Sequence, residues 1–94
     1  MIIHFNDVET EKIYHQEVSR KYPRAVQMQA LRRMMLMDAA LDMHDLRTPP
    51  GNHFEKLTGD LTGKFSIRIN RQYRLVFTIH KTNHFYNVEI MDYH

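Results

Sequence analysis

The stretch RTPPGN at residues 47–52 constrains the fold more than any other part of the sequence. Two prolines and a glycine in close succession stop a helix, because proline lacks an amide donor and fixes its own φ angle. Residues 24–43, before this stretch, contain neither glycine nor proline and are rich in Ala, Leu and Met, which favour helix. The segments after it alternate between apolar and polar residues, which indicates strands. The chain therefore divides at residues 47–52 into a helical half and a sheet half.

An opening strand over residues 2–5 and a helix over residues 7–21 are predicted for the start of the chain. Asn6 or Asp7 can cap this helix, because a side-chain oxygen there accepts hydrogen bonds from the first free amides. Pro23 ends the helix. The apolar positions of the helix form a thin stripe: Val8, Ile13, Tyr14 and Val18.

The second predicted helix covers residues 24–43 and carries a wide apolar stripe. Its apolar residues recur at spacings of 4, 3 and 4, as expected for one helix face: Ala30, Met34, Met37 and Leu41, with Leu31 and Met35 widening the face. Methionine-rich faces occur both in cores and at adaptable binding grooves. We expect this face to pack in the core.

The sheet half predicts strands over 54–57, 65–70, 73–80 and 85–92, with turns at 70–72 and 81–83. One strand, two helices and then three or four strands indicate an α+β fold, in which the helices pack on one face of a mostly antiparallel sheet. The length suits one domain over residues 1–94.

Two arginines lie on either side of the predicted hairpin turn. Alternation places Arg68 and Arg74 on the face opposite their apolar neighbours, and in-register pairing brings them close together. If the helices cover the apolar face, both arginines stand on the open face. There they either hold an anion such as a phosphate between them, which suits the planar arginine fork, or splay apart in solvent.

Charge is concentrated in the second half of the chain. Residues 47–84 contain seven Lys or Arg and two Asp or Glu, against a net charge of +2 for the whole protein. A basic region of this kind is either a solvated sheet surface or a nucleic-acid interface.

Several classes of protein are not supported by the sequence. There is no cysteine, which excludes a disulfide scaffold and agrees with a cytoplasmic location. No apolar run approaches the roughly 18 residues of a membrane span. The seven histidines do not form the paired helical spacing of a zinc site. We therefore expect no metal, no cofactor and no membrane contact.

The chain ends on Asp-Tyr-His directly after the last predicted strand. Tyr93 and His94 are residue types that transfer protons, and an unperturbed histidine titrates near pH ~6.5. With Arg68 and Arg74 they would supply the acid, base and cations that RNA cleavage requires. From the residues alone, a terminal Tyr-His is more often an ordinary frayed chain end.

Three motifs together resemble one family. The joint LRTPPGN, the hairpin SIRINRQYRLVF and the closing NVEIMDYH are similar to those of HigB-type toxins of the RelE/ParE superfamily, the "killer protein" of toxin–antitoxin pairs. The likeness covers the second half of the chain, and the opening strand and helices agree with it.

The resemblance implies a microbial-ribonuclease fold without a cofactor, and cleavage of mRNA in the ribosomal decoding site. It implies a cognate antitoxin as partner, ribosome and mRNA as targets, and operator DNA reached only through the antitoxin complex. Arg74 matches the family arginine that stabilises the transition-state phosphate, and Tyr93 and His94 match its terminal proton-transfer pair; Arg68 would assist. The basic residues expected to contact RNA or the ribosome are Arg47, Lys56, Lys64 and Arg71.

Thr58 departs from the family pattern, because some members carry a lysine at this place. Lys56 or Lys64 is a candidate to replace that lysine, and Glu55 stands where some members have a histidine. Two alternatives to an active nuclease follow: a ParE-like toxin that poisons DNA gyrase without cutting RNA, or a weakened or inactive toxin.

Overall fold

The helical half precedes the sheet half in a computed structural model that describes residues 1–92. Two helices and four strands follow one another along the chain: α1 (Val8–Tyr14), α2 (Arg24–Ala39), β1 (Glu55–Lys56), β2 (Phe65–Arg68), β3 (Tyr73–His80) and β4 (His84–Asp92). Short 3₁₀ helices at Met43–Arg47, Pro50–Asn52 and Gly59–Leu61 fill the connections around the prolines and glycines. The predicted α+β class is confirmed.

The four strands form one antiparallel sheet in the order β1-β2-β3-β4. Asn70 shapes the turn between β2 and β3, because its side-chain oxygen accepts from the amides of Gln72 at 2.8 Å and Tyr73 at 2.9 Å. The pairing of β3 with β4 shifts between Val76 and Thr78. Asn87, with a φ of 56°, adopts the left-handed conformation opposite this shift, as expected for a bulge.

The opening segment runs parallel to β4 along the edge of the sheet. Ile2 and Phe5 form isolated parallel bridges with Phe85 and Val88. The amide of Ile3 donates to the Phe85 carbonyl at 2.9 Å, and the amide of Val88 donates to the His4 carbonyl at 3.1 Å. The predicted opening strand is therefore present as two bridges.

The core lies between the helices and one face of the sheet. Buried apolar side chains from both layers meet there: Ile13, Val26, Ala30, Met34 and Met37 from the helices, and Ile67, Leu75, Phe77, Phe85, Val88 and Ile90 from the sheet. This is the face on which alternation placed the apolar residues of β2 and β3, so that prediction is confirmed.

The predicted ends of both helices are wrong. α1 stops at Tyr14 because Gln16 takes the left-handed conformation, with a φ of 62°, and the Glu17 amide donates back to the Lys12 carbonyl at 2.8 Å. Gln27 of α2 holds the loop that follows: it accepts from the Ser19 amide at 3.1 Å and donates to the carbonyls of Ser19 at 2.8 Å and Tyr22 at 2.7 Å. α2 stops at Ala39, where the extended backbone of Ala40 turns the chain away.

The predicted apolar faces are also narrower than expected. Leu41 lies beyond the end of α2 and is 83% exposed, and Met35 points away from the sheet and is 60% exposed. Val8 and Val18 are exposed as well. The face that packs in the core uses Ala30, Met34 and Met37.

A polar contact joins α1 to α2. The Tyr14 hydroxyl donates to the Asp38 carboxylate, and this hydrogen bond raises the pKa of Tyr14 to about 12. Asp38 also accepts from the Ile2 amide at 2.8 Å, so it links the opening segment to the helices. Within residues 1–92, no helix has the length and apolar character needed to cross a membrane.

Candidate active site

Arg68 and Arg74 lie directly opposite each other on β2 and β3. The register predicted from the sequence is therefore confirmed. The prediction that both stand on an open face is wrong for Arg74, which is only 7% exposed. Ser66 and Val76 on the same face are buried too. The chain around His53 passes over this face, because the His53 carbonyl lies within hydrogen-bonding distance of Arg74.

The Arg74 guanidinium is held from two strands and a loop. Its Nε donates to Ser66 Oγ at 2.8 Å, and its Nη2 donates to the His53 carbonyl at 2.6 Å. Glu55 Oε2 lies 3.8 Å from the same Nη2. A buried positive charge is costly unless acceptors and an opposite charge compensate it. These three groups contribute to that compensation.

The loop that carries His53 is built by the PPGN motif. Pro50–Asn52 forms one 3₁₀ turn, and His53 follows it in the left-handed conformation, with φ 44° and ψ 54°. The side chain of Asn52 is fully buried and donates to the carbonyls of Leu46 at 3.2 Å and Thr48 at 3.3 Å. The motif therefore fixes the backbone immediately before His53.

Arg68 makes different contacts from Arg74. Its Nε donates to the Asn70 carbonyl at 3.1 Å, towards the hairpin turn, and its side chain is half-buried. The Arg68 carbonyl accepts from Nε of Arg33 on α2 at 2.9 Å. The two guanidinium groups are therefore directed apart, and the predicted anion between them has no support from this geometry.

The end of β4 lies beside β3, the strand that carries Arg74. Met91 pairs with Arg74, and Asp92 pairs with Tyr73. Gln72 donates from Nε2 to Asp92 Oδ2 at 3.1 Å. Tyr93 and His94, predicted to transfer protons, lie outside the described residues, so their roles stay predictions.

The residues predicted to contact RNA are spread over four segments of the chain. Arg47, Lys56 and Arg71 are exposed, whereas Lys64 is half-buried. The Arg47 guanidinium lies 5.8 Å from the centre of the Phe54 ring, in a cation–π contact. Over residues 1–92, the structure brings no three His, Asp or Glu side chains together in a group suited to a metal ion.

Sequence comparison identifies the family of this chain. A family model described as the RelE-like toxin of type II toxin–antitoxin system HigB matches residues 3–94. Toxin HigB-1 of Vibrio cholerae serotype O1 is 42% identical to this chain over 78 residues, which are 82% of each of the two proteins. The chain belongs to the HigB-like toxin family. It is thus a toxin of a type II toxin–antitoxin system.

Other relatives of this HigB-like toxin agree in length and fold. An uncharacterized protein of Haemophilus influenzae is 33% identical over 75 residues, 79% of this chain and 74% of that protein. Staphylococcus aureus YoeB in a heterotetrameric complex with YefM has a TM-score of 0.61 at 23% identity, covering 100% of this chain and 95% of YoeB. The S. aureus YoeB dimer gives 0.60 at 24% identity, with 99% and 94% covered. These structures establish the RelE-like fold.

Some HigB-like toxins carry a lysine where this chain has Thr58, and the register of β1 shows where the candidate replacement Lys56 lies. Glu55 pairs with Ser66, whereas Lys56 pairs with Phe65. Side chains directly opposite each other share a face. Glu55 therefore shares the face of Arg74, and Lys56 lies on the other face. Of the two candidates to replace the lysine absent at Thr58, Lys56 thus lies on the face away from Arg74, and which of the two replaces that lysine stays a prediction.

Sequence reasoning missed the groups that hold Arg74. Ser66 carries a signal, because it precedes Arg68 by two residues on a strand and must share its face. The His53 carbonyl accepts a hydrogen bond from Arg74, and the type of side chain at position 53 does not indicate this. The PPGN motif pointed to a sharp turn, but which strand residue that turn would meet depends on tertiary packing.

Proposed function

We propose that this HigB-like toxin is an endoribonuclease that cuts mRNA on the ribosome, without a metal ion or cofactor. The observation that carries the proposal is the Arg74 guanidinium, held in a fixed orientation by Ser66 and His53 in a chain of this family. A positive group fixed before the reaction begins is what transition-state stabilisation requires, because no reorganisation is then needed.

The proposed reaction is a transesterification followed by release of the downstream RNA. A base removes the proton from a ribose 2′-OH, the 2′ oxygen bonds to phosphorus, and the bond from phosphorus to the 5′ oxygen breaks. An acid gives a proton to that leaving oxygen. Arg74 stabilises the extra negative charge on the phosphorane. Tyr93 and His94 orient the RNA and transfer the protons, and acid–base help of this kind typically accelerates reactions ~10²–10⁴-fold.

Binding to the ribosome is assigned to the basic second half. Arg47, Lys56, Lys64 and Arg71 would contact phosphates, and Arg68 would contact RNA near the cut site. Contacts of this type release counterions, so binding weakens as salt rises. The position of Lys56 on the other face from Arg74 suits a contact with ribosomal RNA better than one with the scissile phosphate.

The proposed partner is a cognate antitoxin that neutralises the toxin in the cytoplasm. S. aureus YoeB, which shares the fold, has been solved as a complex with YefM, and this supports the expectation of a protein partner. Operator DNA would be reached only through the antitoxin complex.

The test is expression of this chain without an antitoxin, with mapping of transcript 5′ ends and of gyrase trapped on DNA. The proposal expects growth arrest with new 5′ ends inside codons of translated transcripts. Gyrase–DNA adducts with intact transcripts would establish the ParE-like alternative. Unimpaired growth with the folded protein present would establish an inactive toxin and contradict the proposal.

A further inference from the structure

The PPGN motif is among the most distinctive parts of the sequence, and neither the RNA contacts nor the proton transfers proposed above use it. Its four residues at positions 49–52 form a turn in which the Asn52 amide donates to the Pro49 carbonyl at 2.9 Å. The Asn52 side chain donates to the carbonyls of Leu46 and Thr48, which precede the turn. Loops usually vary and stay solvated, whereas the Asn52 side chain is completely buried. The burial of the Asn52 side chain in this loop therefore needs an explanation.

The turn delivers one backbone atom to Arg74. The carbonyl of His53 accepts from Nη2 at 2.6 Å. His53 reaches that place in a left-handed conformation, with a φ of 44°, that residues other than glycine seldom adopt. Its imidazole is exposed, so the contribution to the buried contact comes from the backbone.

Ser66 supplies the second fixed point. Its hydroxyl is fully buried and accepts from Arg74 Nε at 2.8 Å. A guanidinium is planar, so acceptors on two different nitrogens fix both the direction of the group and the plane in which it lies. Ser66 lies on β2 and His53 lies in the loop, so two separate elements determine the orientation.

We propose that the PPGN turn and Ser66 form a positioning device for Arg74, in which the His53 carbonyl and the Ser66 hydroxyl aim the guanidinium at the scissile phosphate. This inference rests on the proposed function for its catalytic consequence. The orientation of Arg74 itself is a property of the free protein and is measurable without RNA.

The first experiment compares Ser66→Ala with Thr10→Ala in cleavage of ribosome-bound mRNA. Thr10 is the matched control, because it is also a fully buried hydroxyl that accepts a hydrogen bond, here from the Ile90 amide at 3.0 Å. Ser66→Ala should lower kcat about 10-fold to 100-fold, as expected for a misplaced catalytic group, with KM changed less than about twofold. Thr10→Ala should keep kcat. Equal kcat for the two variants overturns the proposal.

A second pair of variants tests the backbone contact without altering the core. Glycine adopts the left-handed conformation easily, whereas a β-branched residue resists it. His53→Val should therefore displace the carbonyl and lower kcat about tenfold relative to His53→Gly, an effect of the size expected for a positioning loss. Equal loss in both variants would assign the effect to the imidazole and overturn the backbone role.

A readout that needs no RNA separates this inference from the proposed function. The Arg74 Nε proton should exchange slowly with water in NMR spectra of wild type and Thr10→Ala, and at least about tenfold faster in Ser66→Ala, because its acceptor is lost. Unchanged exchange in Ser66→Ala overturns the positioning device even if wild type cuts RNA. Faster exchange in Ser66→Ala, found together with a wild type that cuts no RNA, would support the positioning device and contradict the proposed function.

Discussion

Arg68 and Arg74 face each other across the β2–β3 hairpin, yet their Nε groups donate in opposite directions along it. Arg68 donates towards the turn, to the Asn70 carbonyl, and Arg74 donates away from it, to Ser66 Oγ. Two like charges directly opposite each other repel. The hydrogen bonds of the two arginines, which go to different partners, direct their guanidinium groups apart. The buried arginine is thereby fixed, while the half-buried one lies nearer the surface.

This difference predicts unequal effects of the same substitution at the two positions. Arg74→Lys should lower the rate of mRNA cleavage by about 10²-fold to 10³-fold, because an ammonium cannot reproduce two directed contacts of the guanidinium plane. Arg68→Lys should lower it by less than about tenfold, because a lysine keeps a phosphate contact that depends on charge. The measurement is the cleavage rate on programmed ribosomes. A larger loss for Arg68→Lys than for Arg74→Lys would reverse the assigned roles.

Ribosome binding should depend on charge in the basic half of the chain. Arg71→Gln should weaken binding and reduce the slope of log affinity against log salt by about 0.7 to 0.9, the value of one phosphate contact. Arg20→Gln is the matched control, since it removes one exposed arginine from the helical half. The measurement is a salt series of ribosome binding. Equal slopes for the two variants would remove Arg71 from the interface.

Two neighbouring methionines on α2 should differ sharply in their contribution to stability. Met34 is 0% exposed and Met35 is 60% exposed. Met34→Ala should lower the free energy of unfolding by about 2–5 kcal/mol, because it leaves a cavity. Met35→Ala should change it by less than about 0.5 kcal/mol, as is usual at the surface. Chemical denaturation of both variants tests this, and similar losses would mean that the predicted wide apolar face packs after all.

The contact between Tyr14 and Asp38 predicts a change in stability at high pH. Folding raises the pKa of Tyr14 from 10.0 to about 12, so the folded state favours the neutral phenol. That contribution is fully present below pH 10 and is lost as pH rises towards 12. Tyr14→Phe should therefore lose less stability than wild type between these two pH values. Denaturation at a series of pH values checks this, and parallel curves for the two proteins would contradict it.

The sequence alone was sufficient to predict the α+β architecture and the register in which β2 pairs with β3. Alternation in β3 located Tyr73–His80 to the residue, and it paired Arg68 with Arg74 correctly. The path of the chain between α1 and α2 was not predictable, because Gln27 binds the backbone of this loop at Ser19, eight residues away in sequence. The burial of Arg74 was not predictable either, since it depends on where the loop at His53 crosses the sheet. Alternation along a strand indicates which residues share a face, whereas long-range polar contacts such as these leave no pattern in the nearby sequence.

Arg74 differs from the last two residues of the chain in what supports its catalytic role. Arg74 has a described environment, whereas Tyr93 and His94 are assigned through the family resemblance and the position of β4 beside Arg74. Removal of the imidazole at the end of the chain is therefore the most demanding test. It changes none of the residues 1–92 that the structure describes.

The central measurement is transcript 5′-end mapping after induction of wild type and of His94→Ala at equal protein levels. We expect cuts inside translated codons for wild type, and a loss of cleavage of at least about 10²-fold for His94→Ala, the size of one proton-transfer group, with unchanged thermal unfolding. Undiminished cleavage by folded His94→Ala protein would show that the His94 imidazole transfers no proton in the reaction.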